Sequence, residues 1–288
     1  MSEVVRTAAD VPVTRIQPSR GWTSLRLGDV WAYRELLFFL VWKEVKVRYK
    51  QTLLGAMWAV LQPLLTMIVF TIFFGRLAKV GSDGLPYPIF SYAGLLPWTF
   101  FAEGLHKSSA SLVGSANLVR KIYFPRLVMP IAAVMSGLVD FSIAFLVLIA
   151  LMAYYGIWPS AAIVFLPVLL LLALATSLAI GLWLSAFNVR YRDIRYVVPF
   201  FIQMWLFVTP VIYPTSRVLA RLEEAGIPSW LYGLNPMVGV VEGFRWSLLG
   251  SGSRPGTMLL VGSLVTFVLL ISGAFYFRRM EKTFADLV

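Results

Sequence analysis

The chain has no cysteine and a single histidine, His106, among its 288 residues. Disulfide frameworks, zinc–thiolate sites, iron–sulfur clusters and cysteine nucleophiles are thereby excluded, as are multi-histidine metal centres and serial histidine relays. Charge is scarce too, at 14% of residues, where a soluble domain carries roughly 25%. With 59% apolar residues and a mean hydropathy of +0.79, so little charge cannot keep a water-soluble fold in solution. No Gly-Lys pair exists, so no phosphate loop does either, and Gly250-Ser-Gly252-Ser-Arg-Pro-Gly256 lacks dinucleotide spacing. Gly-x-Ser-x-Gly elbows, His-Glu-x-x-His helices and Asp-rich metal loops are also missing. The sequence offers no catalytic residue, no metal ligand set and no cofactor site.

Long charge-free runs fill the space instead. About 20 apolar residues cross a bilayer, and such runs lie at 51–75, 84–102, 196–216 and 255–277. From Leu127 to Val189 the only charge is Asp140, and Gly156-Ile-Trp-Pro159 is the natural turn inside that stretch. The chain therefore reads as an all-α integral membrane protein with six transmembrane helices per protomer. The expected spans are 53–75, 86–105, 127–155, 160–187, 196–215 and 256–277. Residues 1–30 are polar, lack the apolar core of a signal segment and read as a flexible cytoplasmic tail. Residues 31–288 form a single transmembrane domain. Six spans put both termini on one side, which holds 19 of the Lys and Arg residues against 6 on the other. The positive-inside rule makes that side cytoplasmic. The same asymmetry accounts for most of the net charge of +11, which removes the nucleic-acid reading.

Between the spans lie three informative segments. Residues 31–51 mix Leu36 to Trp42 with Lys43, Glu44, Lys46, Arg48 and Lys50, as suits an amphipathic helix lying in the headgroup layer among membrane lipids. In the loop from Lys107 to Arg126, Ser115 is placed to cap a short helix with an apolar face of Leu118, Val119, Ile122 and Tyr123, ended by Pro125. Such a helix suits a partner's groove or serves as a basic anchor. From Ala225 to Val241, repeated Gly and Pro argue for two short re-entrant helices divided near Asn235-Pro236, shielded by protein or water, over a plain surface loop.

Inside the spans, polar residues are few. Asp140 needs a partner or water, and a structural hydrogen-bonding role is the preferred reading over transport chemistry. Gln62 and Gln203 share helices with Phe70, Phe73, Phe74, Phe200, Phe201, Trp205 and Phe207. Amides and aromatic rings together fit a lane for sugars, or equally lipid-facing rings with the amides packed inside. Ala173, Ser177, Gly181 and Ser185 form a small-residue ridge, expected to pack within one subunit. Trp58, Trp98, Trp158 and Trp230 fall near expected span ends and read as interface belts.

Seven motifs then recur in family order: Arg48-Tyr-Lys-Gln-Thr-Leu-Leu-Gly-Ala-Met-Trp58 with Leu61-Gln-Pro63; Leu96-Pro-Trp98; Lys121-Ile-Tyr-Phe-Pro-Arg126; Val189-Arg-Tyr-Arg-Asp193; Thr209-Pro-Val-Ile-Tyr-Pro214; Asn235-Pro-Met237 with Glu242-x-x-Arg245; and Glu281-Lys-Thr-Phe-Ala-Asp286. Over residues 34–288 the chain resembles the type-2 ABC permeases that export polysaccharide. The resemblance implies a six-span permease working as a dimer with a second copy of itself. It further implies two copies of a separate ABC ATPase, which would carry the ATP and Mg, and a lipid-linked glycan as substrate.

By the same resemblance, 31–51 matches the interfacial helix, and 116–124 the coupling helix on the ATPase, with Asn117, Arg120, Lys121, Tyr123, Phe124 and Arg126 as its contacts. Residues 216–250 match external gate helices, with Tyr213, Asn235, Glu242 and Arg245 as gate residues. Gln62, Phe73, Gln203 and Phe207 would line the translocation pathway. Export across the cytoplasmic (inner) membrane follows, with O-antigen the first substrate class and capsule or teichoic acid open. The alternatives are a type-2 ABC permease for drugs or another small lipophile, and a membrane-embedded glycosyl- or acyltransferase.

Overall fold

The computed structural model describes residues 27–50, 55, 57–191, 193–251 and 255–287. Within them every regular element is helical. In chain order these are α1 (Leu27–Ala32), α2 (Arg34–Tyr49), α3 (Met57–Phe70), α4 (Tyr87–Gly114), α5 (Ala116–Lys121), α6 (Val128–Met135), α7 (Gly137–Tyr154), α8 (Leu166–Arg190), α9 (Ile194–Val208), α10 (Thr215–Glu224), α11 (Pro236–Leu249) and α12 (Gly256–Leu287). A π-helical segment, Thr71–Leu77, prolongs α3, while 3-10 turns precede α8 and α11.

Four helical runs are long and apolar enough to cross a membrane: Met57–Leu77, Val128–Tyr154, Ala161–Arg190 and Gly256–Phe284. α4 and α9 occupy the two other expected spans, but with different bounds. α4 continues past 105 to Gly114, so Ser108, Ser109 and Ser111 are helical rather than loop. Two of those hydroxyls turn back onto the helix, Ser109 to the His106 carbonyl and Ser111 to that of Ser108, each bond under 3 Å. α9 stops at Val208, short of 215, because the residue before a proline is driven out of the helical region; Thr209 is extended at φ −94°, ψ 140°. α12 runs ten residues beyond the expected 277, and α1 converts 27–30 of the expected tail into helix; residues 1–26 of that tail lie outside the described residues.

α4 is the hub. Its buried side chains, including Ile89, Phe90, Tyr92, Phe101 and Leu105, pack against α8, α6, α7 and α11. The small-residue ridge of α8 is what lets α4 approach so closely: Ser177 sits against Gly104 and hydrogen-bonds the Phe101 carbonyl at 3.2 Å, and Gly181 sits against Ser108. Ridge packing within the chain is the outcome. Trp98 departs from the belt reading. It is only 5% exposed and packs on Phe101, 5.4 Å between ring centroids, because the stretch of α4 from Tyr87 to Phe101 is almost wholly buried. Trp58, Trp158 and Trp230 are exposed.

A second apolar cluster forms at the end of the molecule where the expected cytoplasmic loops meet. Leu40 of α2, Val119 of α5, Phe124, Leu127 and Phe277 and Phe284 of α12 are buried there together.

Candidate functional site

Three groups of side chains that the sequence marks as functional take distinct places. The first surrounds the turn after α9, Thr209-Pro-Val-Ile-Tyr-Pro214. With the helix ended at Thr209 and no N–H on Pro210 or Pro214, the carbonyls of the last α9 residues and of the turn itself lack helical donors and need others. Side chains provide them. Arg245 on α11 is 1% exposed and donates from Nη1 to the Pro210 carbonyl at 2.5 Å, from Nη2 to Val211 at 2.6 Å and from Nε to Phe90 at 3.3 Å. Its guanidinium lies 3.7 Å from the centre of the Phe90 ring. Carbonyl dipoles and a π face thus stand in for water around a buried cation. Gly94 provides the room, since a Cβ there would meet the guanidinium.

The other expected gate residues converge on the same turn. Tyr213 donates to the Phe207 carbonyl at 2.8 Å and lies 3.4 Å from the Tyr232 hydroxyl, which reaches the Val208 carbonyl at 3.2 Å. Asn235 donates to Thr209 Oγ1 at 2.9 Å while its Oδ1 caps α11 at the Met237 N–H. Glu242 accepts from Thr215 Oγ1 at 2.7 Å. Tyr87, which sequence reasoning passed over, donates to the Ile212 carbonyl at 2.7 Å. Tyr87, Phe90 and Thr215 lie far from α11 in sequence, and only the fold reveals them as partners.

The second group is the loop holding 116–124. Its helix is shorter than that range, ending at Lys121, with Ile122 extended. Ser115 occupies the cap position but makes no side-chain cap bond. The expected single apolar face splits in two. Val119 and Phe124 are buried against α12, whereas Ile122 and Tyr123 are exposed, Tyr123 to 67%. Asn117, Arg120 and Lys121 are exposed beside Tyr123. Arg126 does not face outward with them: its backbone N–H donates to Glu281 Oε1 at 3.0 Å, and its Nη1 to the Glu281 carbonyl at 3.0 Å. Arg278 pairs with the same carboxylate.

The third group, Gln62, Phe73, Gln203 and Phe207, is exposed throughout. It lies on the two barest apolar elements. Only Pro63 and Met67 of α3, and Val198 of α9, are buried. Exposed Ile68, Val69 and Ile72 accompany Phe73, and Phe200, Phe201 and Met204 accompany Phe207.

Beside α3 lies a cavity of about 250 Å³ whose polar lining includes Arg48, Tyr49, Gln62, Glu103, Lys107 and Asp140. Here Asp140 finds its partners. Arg48 forms an ion pair with it, the Tyr49 hydroxyl donates to it, and Arg48 Nη2 donates to Ser136 Oγ at 3.3 Å. Burial pushes the Tyr49 hydroxyl above its ordinary pKa, and the adjacent Arg48 only partly opposes this. Lys107 and Glu103, one helical turn apart, pair at 2.8 Å. Asp140 thus ties the end of α2 to α7.

Several known proteins are similar to the chain over nearly its whole length. It is 30% identical to an O-antigen export system permease protein, RfbA, of Myxococcus xanthus, over 90% of this chain and 97% of that protein. It is 26% identical to the RfbA protein of Klebsiella pneumoniae over 88% and 95% of the two chains. To the polysialic acid transport protein KpsM of Escherichia coli it is 24% identical, over 83% and 91%. Residues 35–249, which contain all three groups of side chains, match the model of one family. The chain belongs to the ABC-2 type transporter family, as a multi-pass membrane permease subunit.

Proposed function

We propose that this chain is the permease of an ATP-driven exporter that moves lipid-linked polysaccharide, of the O-antigen class, across the cytoplasmic membrane. The observation that carries the reading is similarity to O-antigen export permeases over 88–90% of the chain. In this reading α4 and α9 complete six spans, both termini are cytoplasmic, and the chain works as a dimer driven by a separate ABC ATPase. The exposed patch of Lys121 and Tyr123 contacts that ATPase. The turn held by Arg245, Tyr213, Asn235 and Glu242 belongs to the external gate. The bare faces of α3 and α9 meet the second copy and the glycan.

Deleting the gene in its host should abolish the surface glycan and leave its lipid-linked precursor inside the cell. Unchanged surface glycan would sink the proposal, and ATP turnover by the purified chain alone would contradict a separate energy source. Co-purifying small lipophiles instead of glycan would point to the drug-type permeases.

Two finer tests follow. Tyr123→Ala should lower export about tenfold, on the order of 1.4 kcal/mol of lost coupling, with normal insertion. Phe124→Ala should instead lower the amount of folded protein, since emptying a buried Phe site costs about 3–5 kcal/mol. Equal behaviour of the two would remove the docking role. Single cysteines at Gln62, Phe73, Gln203 and Phe207 probe the lane, free of background because the chain has no native thiol. Water-borne maleimide should label them, since only a hydrated thiol ionises and reacts. Protection of all four, at rest and during turnover, would assign those faces to lipid or packing.

A further inference from the structure

The motif Glu281-Lys-Thr-Phe-Ala-Asp286 has no part in docking, gating or the lane as assigned above, yet Glu281 is one of the few buried carboxylates, at 8% exposure. Its two oxygens and its backbone carbonyl are all engaged by neighbouring cations or N–H groups. Oε1 accepts the Arg126 N–H at 3.0 Å, the carbonyl accepts Arg126 Nη1 at 3.0 Å, and the carboxylate pairs with Arg278. Arg278 in turn lies 3.9 Å from Asp29 of α1. Phe277 and Phe284, one turn to either side, pack edge-on at 5.1 Å in the cluster that holds Val119 and Phe124. The loop carrying 116–124 is therefore fastened to α12 by polar bonds flanked by apolar contacts.

The other end of α12 is fastened just as tightly to a different place. A Cβ on Gly233 would lie 2.8 Å from Met258 Cα, one on Gly239 2.8 Å from Leu259 Cα, and one on Gly262 3.0 Å from Pro236 Cα. Backbone meets backbone there, with no side chain between to absorb a displacement. These contacts join the first turns of α12 to α11 and the turn before it, which hold Arg245, Tyr232 and Asn235. Between the two ends α12 is one uninterrupted helix of 32 residues, about 48 Å at 1.5 Å per residue. Thr266 to Thr176 at 3.0 Å and Trp183 stacked on Tyr276 at 4.6 Å brace it along α8.

We propose that α12 is a rigid strut joining the 116–124 loop to the external helices, and that Glu281 is the positioning residue that engages it. Displacement of the loop is carried to α11 through this helix and not through the loosely packed α3 and α9. The proposal rests on the docking and gating roles given above.

The test uses the reconstituted complex of this chain with its ABC ATPase partner, the chain carrying Leu234→Cys as its only thiol, on the exposed edge of the external helices. In that background, adding ATP and Mg²⁺ should change maleimide labelling by about fivefold or more, the low end of ordinary site-to-site coupling. With Glu281→Ala the ATPase should still co-purify and hydrolyse ATP, but the labelling response should vanish. Glu281→Gln, which keeps an oxygen for the Arg126 N–H, should restore it. Gly239→Ala, which wedges the opposite end apart, should lose it again. A response that survives in Glu281→Ala overturns the strut. So does loss of the ATPase from that variant, or failure of Glu281→Gln to rescue, or no response to ATP in the starting background. Lys121→Glu in parallel separates the two readings. If it keeps the ATPase, docking by 116–124 fails. If it sheds the ATPase while Glu281→Ala keeps its response, the strut alone fails.

Discussion

Two arginines, Arg245 and Arg48, close opposite parts of the molecule by different chemistry. Arg245 is wholly buried and spends its donors on three backbone carbonyls and an aromatic face. Arg48 is partly exposed, reaches a carboxylate and a serine hydroxyl, and borders a polar cavity. Carbonyls cannot be neutralised or swapped, so the Arg245 lock releases only if the α9–α10 turn moves with it or the cation is hydrated. The Arg48–Asp140 pair has Glu103 and Lys107 within the same cavity as alternative partners. Its charges can be redistributed without exposing a bare ion. One end is built to hold a backbone shape, the other to tolerate rearrangement.

The largest expected effect comes from breaking the first lock. Arg245→Ala leaves the Pro210, Val211 and Phe90 carbonyls without their donor inside a dry site. Removing one partner of a buried charged interaction costs about 3–5 kcal/mol, a large share of what holds a domain together. Membrane-inserted protein should fall severalfold and export should be lost, as read by immunoblot of membranes and by surface glycan. Arg245→Lys keeps the charge but not the planar fork, and should rescue the protein level more than the export. Full rescue of both by Lys would mean that charge alone, and not the three-carbonyl geometry, is what α11 supplies.

How far such a lock could be foreseen differs from residue to residue. Arg245 was named through the family motif Glu242-x-x-Arg245, and Asn235-Pro236 marked the division of the re-entrant helices, because both signals are local. The donors and acceptors were invisible: Phe90, Gly94 and Tyr87 lie on α4, about 150 residues away, and no periodicity links them to α11. Four of the six expected spans were legible from charge-free length, but their ends were not. Pro210 cut α9 early, and serines that read as loop stayed helical in α4, where the Ser109 and Ser111 hydroxyls bond back to the helix. The face of Leu118, Val119, Ile122 and Tyr123 was read as one surface, and it is two, since the helix ends at Lys121 and leaves Ile122 and Tyr123 exposed while Val119 is buried. Asp140 advertised its need for a partner, whereas nothing nearby in sequence named Arg48.

A middle-sized effect tests the second lock. Asp140→Asn removes the ion pair with Arg48 but keeps an oxygen for the Tyr49 hydroxyl. The side chains are about a quarter exposed, so the loss should be near the upper end for accessible pairs, about 1 kcal/mol. A thermal midpoint lowered by a few degrees in detergent, with insertion unchanged, is expected. The exchanged pair, Arg48→Asp with Asp140→Arg, should recover part of that loss while either single reversal does not. A drop as large as that of Arg245→Ala would erase the distinction between the two ends.

The smallest effect is expected from Glu103→Gln, and its smallness is the point. Glu103 and Lys107 are one helical turn apart on α4, pair at 2.8 Å, and retain 45% and 25% side-chain exposure. Pairs of this kind stabilise a helix by about 0.3–0.5 kcal/mol, and Gln keeps the shape and a hydrogen-bond acceptor for Lys107. The thermal midpoint should therefore move by less than the scatter between preparations. What should change is the neighbouring pair, because Lys107 no longer has a carboxylate on its own helix and turns toward Asp140 across the cavity. In the Glu103→Gln background, Arg48→Gln should then cost less than it does alone, since Lys107 takes up the orphaned carboxylate. That double-mutant cycle reads the rearrangement directly. Strict additivity of the two substitutions would show that the cavity holds two independent pairs, and its end of the molecule would then be as fixed as the Arg245 lock.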